Sequence, residues 1–330
     1  MAWRSSRRAV LKGGLAAAGA LGSVAMPHVH AANPERVSNA SLATGISVII
    51  NDFMAAKRFD LKHGVDLVVT STFTAVNNYY TDFAAGSFDL AVGSWDVFAT
   101  LYQRGVPVKL VCSATSANMI NVVTGPNGVT EITALRGKSM AAVQATGSFA
   151  MCKAVLQDVH KLELGRDIAI QNVPSPAQSI TLVAAGNVDA GLSWEPNISI
   201  GMAQIRGLKP IFNVGEAYRS TRGEVLPYFA FAARSERLKQ SPDLGARLAA
   251  AFRDCIDAIM AHPEEAFAIS AAKMQVAPAV LLEGFAAKRL DFRADAMTEP
   301  AGRKLVTGAF DYLQARGAFE PKKLGDDFFA

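Results

Sequence analysis

Residues 84–96 read Ala-Ala-Gly-Ser-Phe-Asp-Leu-Ala-Val-Gly-Ser-Trp-Asp, and residues 184–195 repeat the pattern as Ala-Ala-Gly-Asn-Val-Asp-Ala-Gly-Leu-Ser-Trp-Glu, with a one-residue gap. An Arg-Gly turn follows each copy, at Arg104-Gly105 and Arg206-Gly207. The period of about one hundred residues is longer than the 20 to 50 residues of a solenoid repeat, and it fits one small α/β domain. The repeat therefore predicts two similar lobes.

Apolar runs alternate with helical patterns around both copies of the repeat. Helices are predicted at 47–58, 75–85, 95–103, 148–160 and 177–185, and strands at 65–72, 88–92, 107–114, 138–143, 167–173, 188–192 and 210–214. A polar loop at 215–226, a strand at 227–232 and further helices complete the pattern. Strands that alternate with helices predict an α/β fold, in which helices cover sheets of mostly parallel strands.

The first 31 residues have the features of an export signal. Arg7 and Arg8 lie in a twin-arginine core, a weakly apolar stretch follows at residues 13–26, and Ala31 ends a small-residue cleavage site. That stretch is shorter than the roughly 20 residues that span a bilayer, which argues against a transmembrane anchor. We predict a twin-arginine signal peptide over residues 1–31, with cleavage after Ala31.

Removal of this signal also changes the net charge. The chain has 33 basic and 29 acidic residues, and residues 1–32 hold four of the basic residues and no acid. The mature chain is therefore neutral. A neutral chain gives no electrostatic indication of a nucleic-acid partner.

The sequence shows no catalytic or metal-binding motif. It lacks the Gly-x-Ser-x-Gly, Gly-x-Gly-x-x-Gly and His-Glu-x-x-His patterns. Gly137-Lys138-Ser139 resembles the end of a phosphate-binding loop, but Ile132 stands where that loop requires glycine. Cysteines and histidines are single and widely spaced, which indicates buried thiols, with one oxidised pair left open, and no metal cluster. We predict no catalytic residue, no metal and no cofactor.

Candidate ligand-binding residues lie where predicted strands lead into helices. In an open α/β sheet, ligands bind at the carboxyl ends of the strands, where helix N-termini present free N–H groups. Helix capping is an alternative role for the Ser and Thr residues in these turns, and core packing is an alternative for the two Trp residues. The acids Asp89 and Asp189 are interpreted as structural residues. The predicted ligand-binding residues are Thr44, Gly45, Ser94, Trp95, Thr146, Gly147, Ser148, Trp194, Glu195 and Tyr228.

Several of these segments together resemble the ordered motif series of the nitrate/sulfonate/taurine-type substrate-binding proteins of ABC importers, which include thiamine-precursor binders. The similarity covers about residues 40–235. The family's glycine at the end of the first helix is absent, and Lys57-Arg58-Phe59-Asp60 stands there instead. The matching segments are Ala85-Gly86-Ser87-Phe88-Asp89, Gly105-Val106-Pro107-Val108-Lys109, Leu135-Arg136-Gly137-Lys138, Gly147-Ser148, Ala185-Gly186-Asn187-Val188-Asp189-Ala190 and Trp194-Glu195-Pro196.

The resemblance implies a type II periplasmic-binding-protein fold with two lobes, mixed and mostly parallel sheets, and two hinge crossings. We expect lobe 1 to comprise residues 33–118 and 228–330, and lobe 2 to comprise residues 119–227. The family's members capture a small molecule in the cleft and deliver it to a membrane permease.

We therefore expect a periplasmic, monomeric solute-binding protein that is not an enzyme and delivers its ligand to an ABC permease in the inner membrane. The expected ligand is a small organic anion, such as a sulfonate or carboxylate, bound at the helix that starts near Ser148. Three alternatives stay open: a binder of a pyrimidine or other thiamine precursor, a related synthase-like enzyme, and a ligand-sensing module.

Overall fold

The computed structural model describes residues 33–43 and 45–330, so the predicted signal peptide and Thr44 lie outside the described residues. Over the described ranges, no helix combines the length and the apolar character needed to cross a membrane. The strands are β1 (Glu35–Leu42), β2 (Val65–Phe73), β3 (Leu90–Ser94), β4 (Val108–Ser113), β5 (Ile120–Thr124), β6 (Ser139–Ala142), β7 (Ala169–Asn172), β8 (Ala190–Trp194), β9 (Lys209–Asn213) and β10 (Phe229–Arg234).

Helices cover both faces of these strands. They are α1 (Ile46–Lys57), α2 (Phe59–Lys62), α3 (Val76–Ala85), α4 (Trp95–Gln103), α5 (Gly147–His160), α6 (Pro176–Ala184), α7 (Asn197–Gln204), α8 (Val214–Arg222), α9 (Ser235–Gln240), α10 (Leu244–Ala261), α11 (Pro263–Met274), α12 (Pro278–Ala286) and α13 (Pro300–Gln314). The predicted α/β fold is therefore confirmed.

The strands form two five-stranded sheets. Sheet I has the order β2-β1-β3-β10-β4, and sheet II has the order β7-β6-β8-β5-β9. In each sheet four strands run in one direction, and one strand, β10 in sheet I or β5 in sheet II, is antiparallel to both of its neighbours. These mixed, mostly parallel sheets agree with the predicted class. Each antiparallel strand follows a crossing between the sheets, at residues 114–119 or 223–228.

The two crossing segments lie side by side and are hydrogen-bonded. The amide N–H of Ala117 donates to the carbonyl oxygen of Leu226 at 2.8 Å, and that of Tyr228 donates to the carbonyl oxygen of Thr115 at 2.9 Å. The chain therefore passes between the sheets twice at one place. This pairing gives the two sheets a common hinge.

Left-handed residues end the helices of the repeat. Gly86 follows α3 with φ of 86°, and Gly186 follows α6 with φ of 72°. Glycine adopts this conformation without steric cost. At the end of α1, where the family's glycine is absent, Arg58 takes the left-handed conformation with φ of 53°, and its Nε donates to Asp60 at 3.0 Å.

The repeated aspartates fasten their loops to the neighbouring strand. Asp89 accepts hydrogen bonds from the backbone N–H of Ser38 at 2.9 Å and from its hydroxyl at 2.7 Å. Asp189 accepts the equivalent bonds from Ser139, at 2.9 Å and 2.8 Å. The two copies of the repeat thus use one structural device, in sheet I and in sheet II.

The prediction of a loop at 215–226 is wrong for most of that segment. Helix α8 occupies Val214–Arg222, because the side chain of Asn213 accepts a hydrogen bond from the N–H of Glu216 at 2.9 Å and caps the helix start. Gly223 then ends the helix with φ of 71°. Strands β1 and β5 were not predicted, and each pairs with a strand on both of its sides.

The C-terminal helices contact elements of both sheets. Helix α11 packs on α1, α12 packs on α7, and α13 packs on α5. The ring of Tyr312 on α13 meets that of Tyr218 on α8 edge-on, with centroids 4.8 Å apart. Beyond α13 the chain returns to sheet I, where Phe329 pairs with Leu110. These helices add a third connection between the sheets, besides the two crossings.

Candidate functional site

Two cavities lie where the carboxyl ends of strands from both sheets meet. The outer cavity has a volume of about 170 Å³ and the inner cavity about 20 Å³. Both are lined by Leu42, Val76 and Trp194. The outer cavity is also lined by Ala43, Gly45, Phe73, Thr74, Ser175, Pro176, Ala177 and Asn197. The inner cavity is also lined by Tyr80, Ser94, Val97, Thr146, Gly147, Tyr228 and Phe229.

A larger depression of about 540 Å³ lies elsewhere, at the amino ends of β6 and β8. Its lining belongs to sheet II and its loops alone, and includes Lys138 and Asp189. Ligands of open α/β sheets bind at the carboxyl ends of the strands. We therefore place the candidate site at the outer and inner cavities, despite their smaller volume.

The outer cavity lies beside the first turns of four helices, one of which is α7, whose first residue Asn197 lines the cavity. Helix α1 begins after Gly45, α3 begins after Ala75, and α6 begins after Ser175. No described side chain caps the first two helices, and neither has an acid in its first turn. Free N–H groups and the positive ends of helix dipoles favour a negative group. The outer cavity therefore has features of an anion site built from backbone groups.

Aromatic side chains dominate the inner cavity. The rings of Tyr228 and Phe229 are stacked with centroids 4.1 Å apart, and Trp194 meets Tyr228 edge-on at 6.5 Å. Tyr80 is held by its hydroxyl, which accepts a hydrogen bond from the N–H of Ser94 at 2.8 Å. Such rings offer apolar faces and a negative quadrupole to a ligand.

The first turn of α5 lies against the first turn of α4, so that elements from the two sheets touch. A methyl group at Gly147 would lie 2.0 Å from the hydroxyl oxygen of Ser94 and 2.0 Å from Oδ1 of Asp96. Only glycine fits there. Beside it, the hydroxyls of Thr146 and Ser148 are 2.8 Å apart and form a hydrogen bond.

Asp96 was not among the predicted site residues, yet it is the most unusual acid in the described chain. The buried acids of the described residues are Asp60, Asp96 and Glu195. Arg58 pairs with Asp60 at 3.0 Å, and Arg289 pairs with Glu195 at 2.9 Å. Asp96 has no ion pair among the described residues and accepts a short hydrogen bond from the hydroxyl of Ser94.

Burial raises the pKa of Asp96 to about 6, while the Ser94 hydroxyl and the backbone N–H groups of Asp96 and Val97 oppose this shift. Removal from water penalises the charged form, and no guanidinium or ammonium of the described residues compensates it. The sequence did contain a signal for this residue. Asp96 and Glu195 occupy equivalent places in the repeat, each directly after a tryptophan.

The two tryptophans of the repeat have different surroundings. Trp95 is fully buried, its indole N–H donates to the carbonyl oxygen of Pro227 at 2.8 Å, and its ring packs against Phe319 at 5.9 Å. It lines neither cavity. Trp194 is 5% exposed and lines both cavities. Only the second indole therefore contacts the space that a ligand could fill.

Glu195 also lines neither cavity. It is fully buried and accepts hydrogen bonds from the guanidinium of Arg289 at 2.9 Å and from the hydroxyl and N–H of Ser199 at 3.0 Å each. Burial raises the pKa of Glu195, and Arg289 opposes that shift. Since Arg289 follows α12, this ion pair joins the C-terminal helices to the start of α7.

Of the predicted site residues, Gly45, Ser94, Thr146, Gly147, Trp194 and Tyr228 therefore line a cavity. Trp95, Ser148 and Glu195 do not, and Thr44 lies outside the described residues. The inner cavity is also lined by Tyr80, which was not predicted because it lies within α3 and not in a turn.

We predict that Asp96→Asn changes how stability depends on pH in the ligand-free protein. The pKa of Asp96 in the folded chain is about 6, above its ordinary 3.8, so its contribution to stability is lost as pH rises through this range. A difference of one in pKa corresponds to about 1.4 kcal/mol, so between the two pKa values the wild type loses about 3 kcal/mol of unfolding free energy. The variant, which has no carboxyl group at this position, keeps that stability. Urea unfolding between pH 4 and pH 8 measures the difference.

The nearby phenols do not interfere with this measurement. Burial raises the pKa of both Tyr80 and Tyr228 above its ordinary value, so both stay neutral over the range. Glu264→Gln, at an exposed position on α11, is the control for loss of one negative charge. Identical pH profiles for the wild type and Asp96→Asn would contradict the prediction.

At neutral pH, and in contrast to Asp96→Asn, we expect Glu195→Gln to lower the unfolding free energy. This change leaves the Arg289 guanidinium buried without a carboxylate, which costs about 3 to 5 kcal/mol of unfolding free energy. The double variant Glu195→Gln with Arg289→Gln should lose less than the sum of the single changes. Urea unfolding of the three variants tests this, and a loss below about 1 kcal/mol in the single variant would show that the pair is not coupled to folding.

Comparison with known proteins agrees with this architecture. Residues 59–266 match the NMT1/THI5 like family. No curated protein sequence is significantly similar to the chain. Among solved structures, the periplasmic aliphatic sulphonate binding protein SsuA from Escherichia coli is 18% identical, with a TM-score of 0.67 over 89% of this chain and 96% of that one.

Two further structures have the same fold. The alkanesulfonate-binding protein SsuA from Xanthomonas axonopodis pv. citri, bound to MOPS, is 16% identical, with a TM-score of 0.69 over 88% of this chain and 96% of that one. The periplasmic nitrate-binding protein NrtA from Synechocystis PCC 6803 is 16% identical, with a TM-score of 0.60 over 74% of this chain and 68% of that one. The predicted periplasmic-binding-protein fold is confirmed. Because the family match spans more than half of its residues, the chain belongs to the NMT1/THI5 like family.

Proposed function

We propose that the protein is a solute-binding protein that captures a small organic molecule between its two sheets and delivers it to an ABC permease in the inner membrane. The observation that carries this proposal is that both sheets line the outer and inner cavities at the carboxyl ends of their strands, beside the paired crossings. The names of three similar structures support it: a periplasmic aliphatic sulphonate binding protein, an alkanesulfonate-binding protein and a periplasmic nitrate-binding protein.

The ligand-binding residues in this proposal are the cavity-lining members of the predicted set, with Tyr80 added. We propose that an acidic group of the ligand, such as a carboxylate or sulfonate, binds in the outer cavity rather than near Ser148. The α5 start is faced by the carboxyl group of Asp96, whereas α1 and α3 start beside the outer cavity without an acid in their first turns. No Lys, Arg or His among the described residues lines either cavity.

We keep the lobe boundaries as part of the proposal: lobe 1 at residues 33–118 and 228–330, and lobe 2 at residues 119–227. The strands of sheet I fall within lobe 1 and those of sheet II within lobe 2. Helices α12 and α13 belong to lobe 1 in the chain, but they pack on α7 and α5 of lobe 2. A motion that separates the lobes must therefore also move these contacts.

Closure of the lobes on a ligand can be tested with the ligand that copurifies with the protein, once mass spectrometry has identified it. At one hundred times its dissociation constant, this ligand should add about 2.7 kcal/mol of stability, and small-angle scattering should show a more compact particle. Gly147→Ala should weaken binding at least tenfold, because a methyl group 2.0 Å from Asp96 and Ser94 keeps the lobes apart.

Gly125→Ala is the matched control, because a methyl group there would lie 3.7 Å from the carbonyl oxygen of Val183, in ordinary contact. A ligand that binds without any change in scattering or melting temperature would reject closure as the mechanism. Consumption of the ligand during incubation would instead favour the enzyme alternative.

Export through the twin-arginine route is the last part of the proposal. Arg7 and Arg8 form the recognition core, and cleavage after Ala31 gives a mature chain that begins at Ala32. The intact mass of protein isolated from the periplasm should match a chain starting at Ala32, and replacement of both arginines by lysine should block export. Periplasmic protein that retains Met1 would contradict this prediction.

A further inference from the structure

The two copies of the repeat place a buried acid at the same point, but only one copy supplies a cation for it. Glu195 lies 2.9 Å from the guanidinium of Arg289. Asp96 has no Lys, Arg or His partner among the described residues, although it is only 6% exposed. Asp96 accepts hydrogen bonds from the Ser94 hydroxyl and from the backbone N–H groups of Asp96 and Val97, but no described cation balances its charge. A buried carboxylate without a cation is costly. The cation that Asp96 lacks in the described chain can come from a ligand.

The carboxyl group of Asp96 lies directly behind the wall of the inner cavity. Ser94 and Gly147 line that cavity, and both are in contact with Oδ1 of Asp96. Burial is the main cause that raises the pKa of Tyr80 and Tyr228, which also line the cavity, and the charge of Asp96 adds to the rise in each. A positive charge in the inner cavity would therefore interact with Asp96 across one layer of atoms in a water-poor environment.

The remaining walls suit the same kind of group. Tyr80, Trp194, Tyr228 and Phe229 surround the inner cavity, and aromatic faces attract ammonium and guanidinium cations. No described basic residue lines the cavity and competes with such a cation. The alternative role for Asp96 is to stabilise the first turn of α4. Its backbone N–H contacts fit that role, but they do not explain why Asp96 is fully enclosed at the junction of the two sheets.

We infer that Asp96 is a specificity-determining residue that selects ligands with a positively charged nitrogen, a primary ammonium small enough for the inner cavity. This inference rests on the proposed function, since it assigns the ligand class of the same cleft. Any acidic group of the ligand lies at the opposite end, beside the helix starts of the outer cavity. The preferred ligand is thus a compact amine, or an amine that also carries an acid.

Two matched pairs of probes test the inference. Benzylamine is compared with benzyl alcohol, and 3-aminopropanoate with 3-hydroxypropanoate, by calorimetry near pH 8, where Asp96 is ionised and both amines are protonated. In the wild type, an amine should bind about tenfold or more tightly than its alcohol. In Asp96→Asn this preference should disappear while the alcohol binds as before. Glu264→Gln, which removes an exposed acid on α11, should keep the preference.

The outcomes separate this inference from the proposed function. Probes that bind equally well as amine and alcohol, or an amine preference that survives in Asp96→Asn, overturn the role of Asp96. Absence of binding by both amines also overturns it. If the probes that do bind lose affinity in Trp194→Ala but not in Trp95→Ala, whatever their preference for amine or alcohol, the cleft remains the binding site and the proposed function stands. Amine binding that depends on Asp96 but leaves the lobes unmoved would instead reject closure on the ligand.

Discussion

The antiparallel pairing of the two crossing segments is the constraint on which the rest of the structure depends. Residues 114–119 and 223–228 are hydrogen-bonded to each other, so the chain leaves and re-enters sheet I at one place. Each crossing then continues into the antiparallel strand of the next sheet. Because the four other strands of each sheet share one direction, the carboxyl ends of both sheets lie close to the hinge. The cleft is a consequence of this topology and needs no special loop.

The repeat shows how one sequence pattern serves two purposes. Its glycine and first aspartate have the same structural role in both copies, as the Asp89–Ser38 and Asp189–Ser139 contacts show. Its tryptophan and second acid have diverged. In the first copy the indole is in the core and the acid has no cation partner among the described residues, whereas in the second the indole lines the cavities and the acid is paired with Arg289. Symmetry at the level of the fold therefore does not extend to the cleft.

Local signals explain which parts of the structure the sequence could predict. Helix ends at Gly86 and Gly186 and the alternation of strands and helices depend on neighbouring residues, and they were predicted within a few positions. Strand β5 was missed because it follows a crossing and precedes no helix of its own. Helix α8 was missed because its polar sequence conceals one decisive cap, Asn213.

The site was harder to predict, because its decisive contacts are between residues far apart in the chain. Glu195 and Arg289 are 94 positions apart, and Gly147 meets Asp96 from the other sheet. No local pattern distinguishes the paired acid from the unpaired one. The alternation of strand and helix did identify most of the cavity-lining turns, since these follow from topology alone.

The charge preference of the cleft depends on two features: the lack of basic side chains in its described lining and the carboxylate of Asp96 behind its wall. Among the described residues, the lining of both cavities has no basic side chain, so a negative group in the outer cavity is held by backbone N–H groups and by neutral donors such as the hydroxyls of Thr74 and Ser175. The backbone groups favour an anion by about 0.3 to 2 kcal/mol at a helix start, which is weaker than a full ion pair. The buried carboxylate of Asp96 at the other end is a complete charge in a poorly hydrated place. If Asp96 selects ligands as inferred, the inner cavity has the larger influence on which ligands are accepted, and the donors of the outer cavity mainly set how the ligand is oriented.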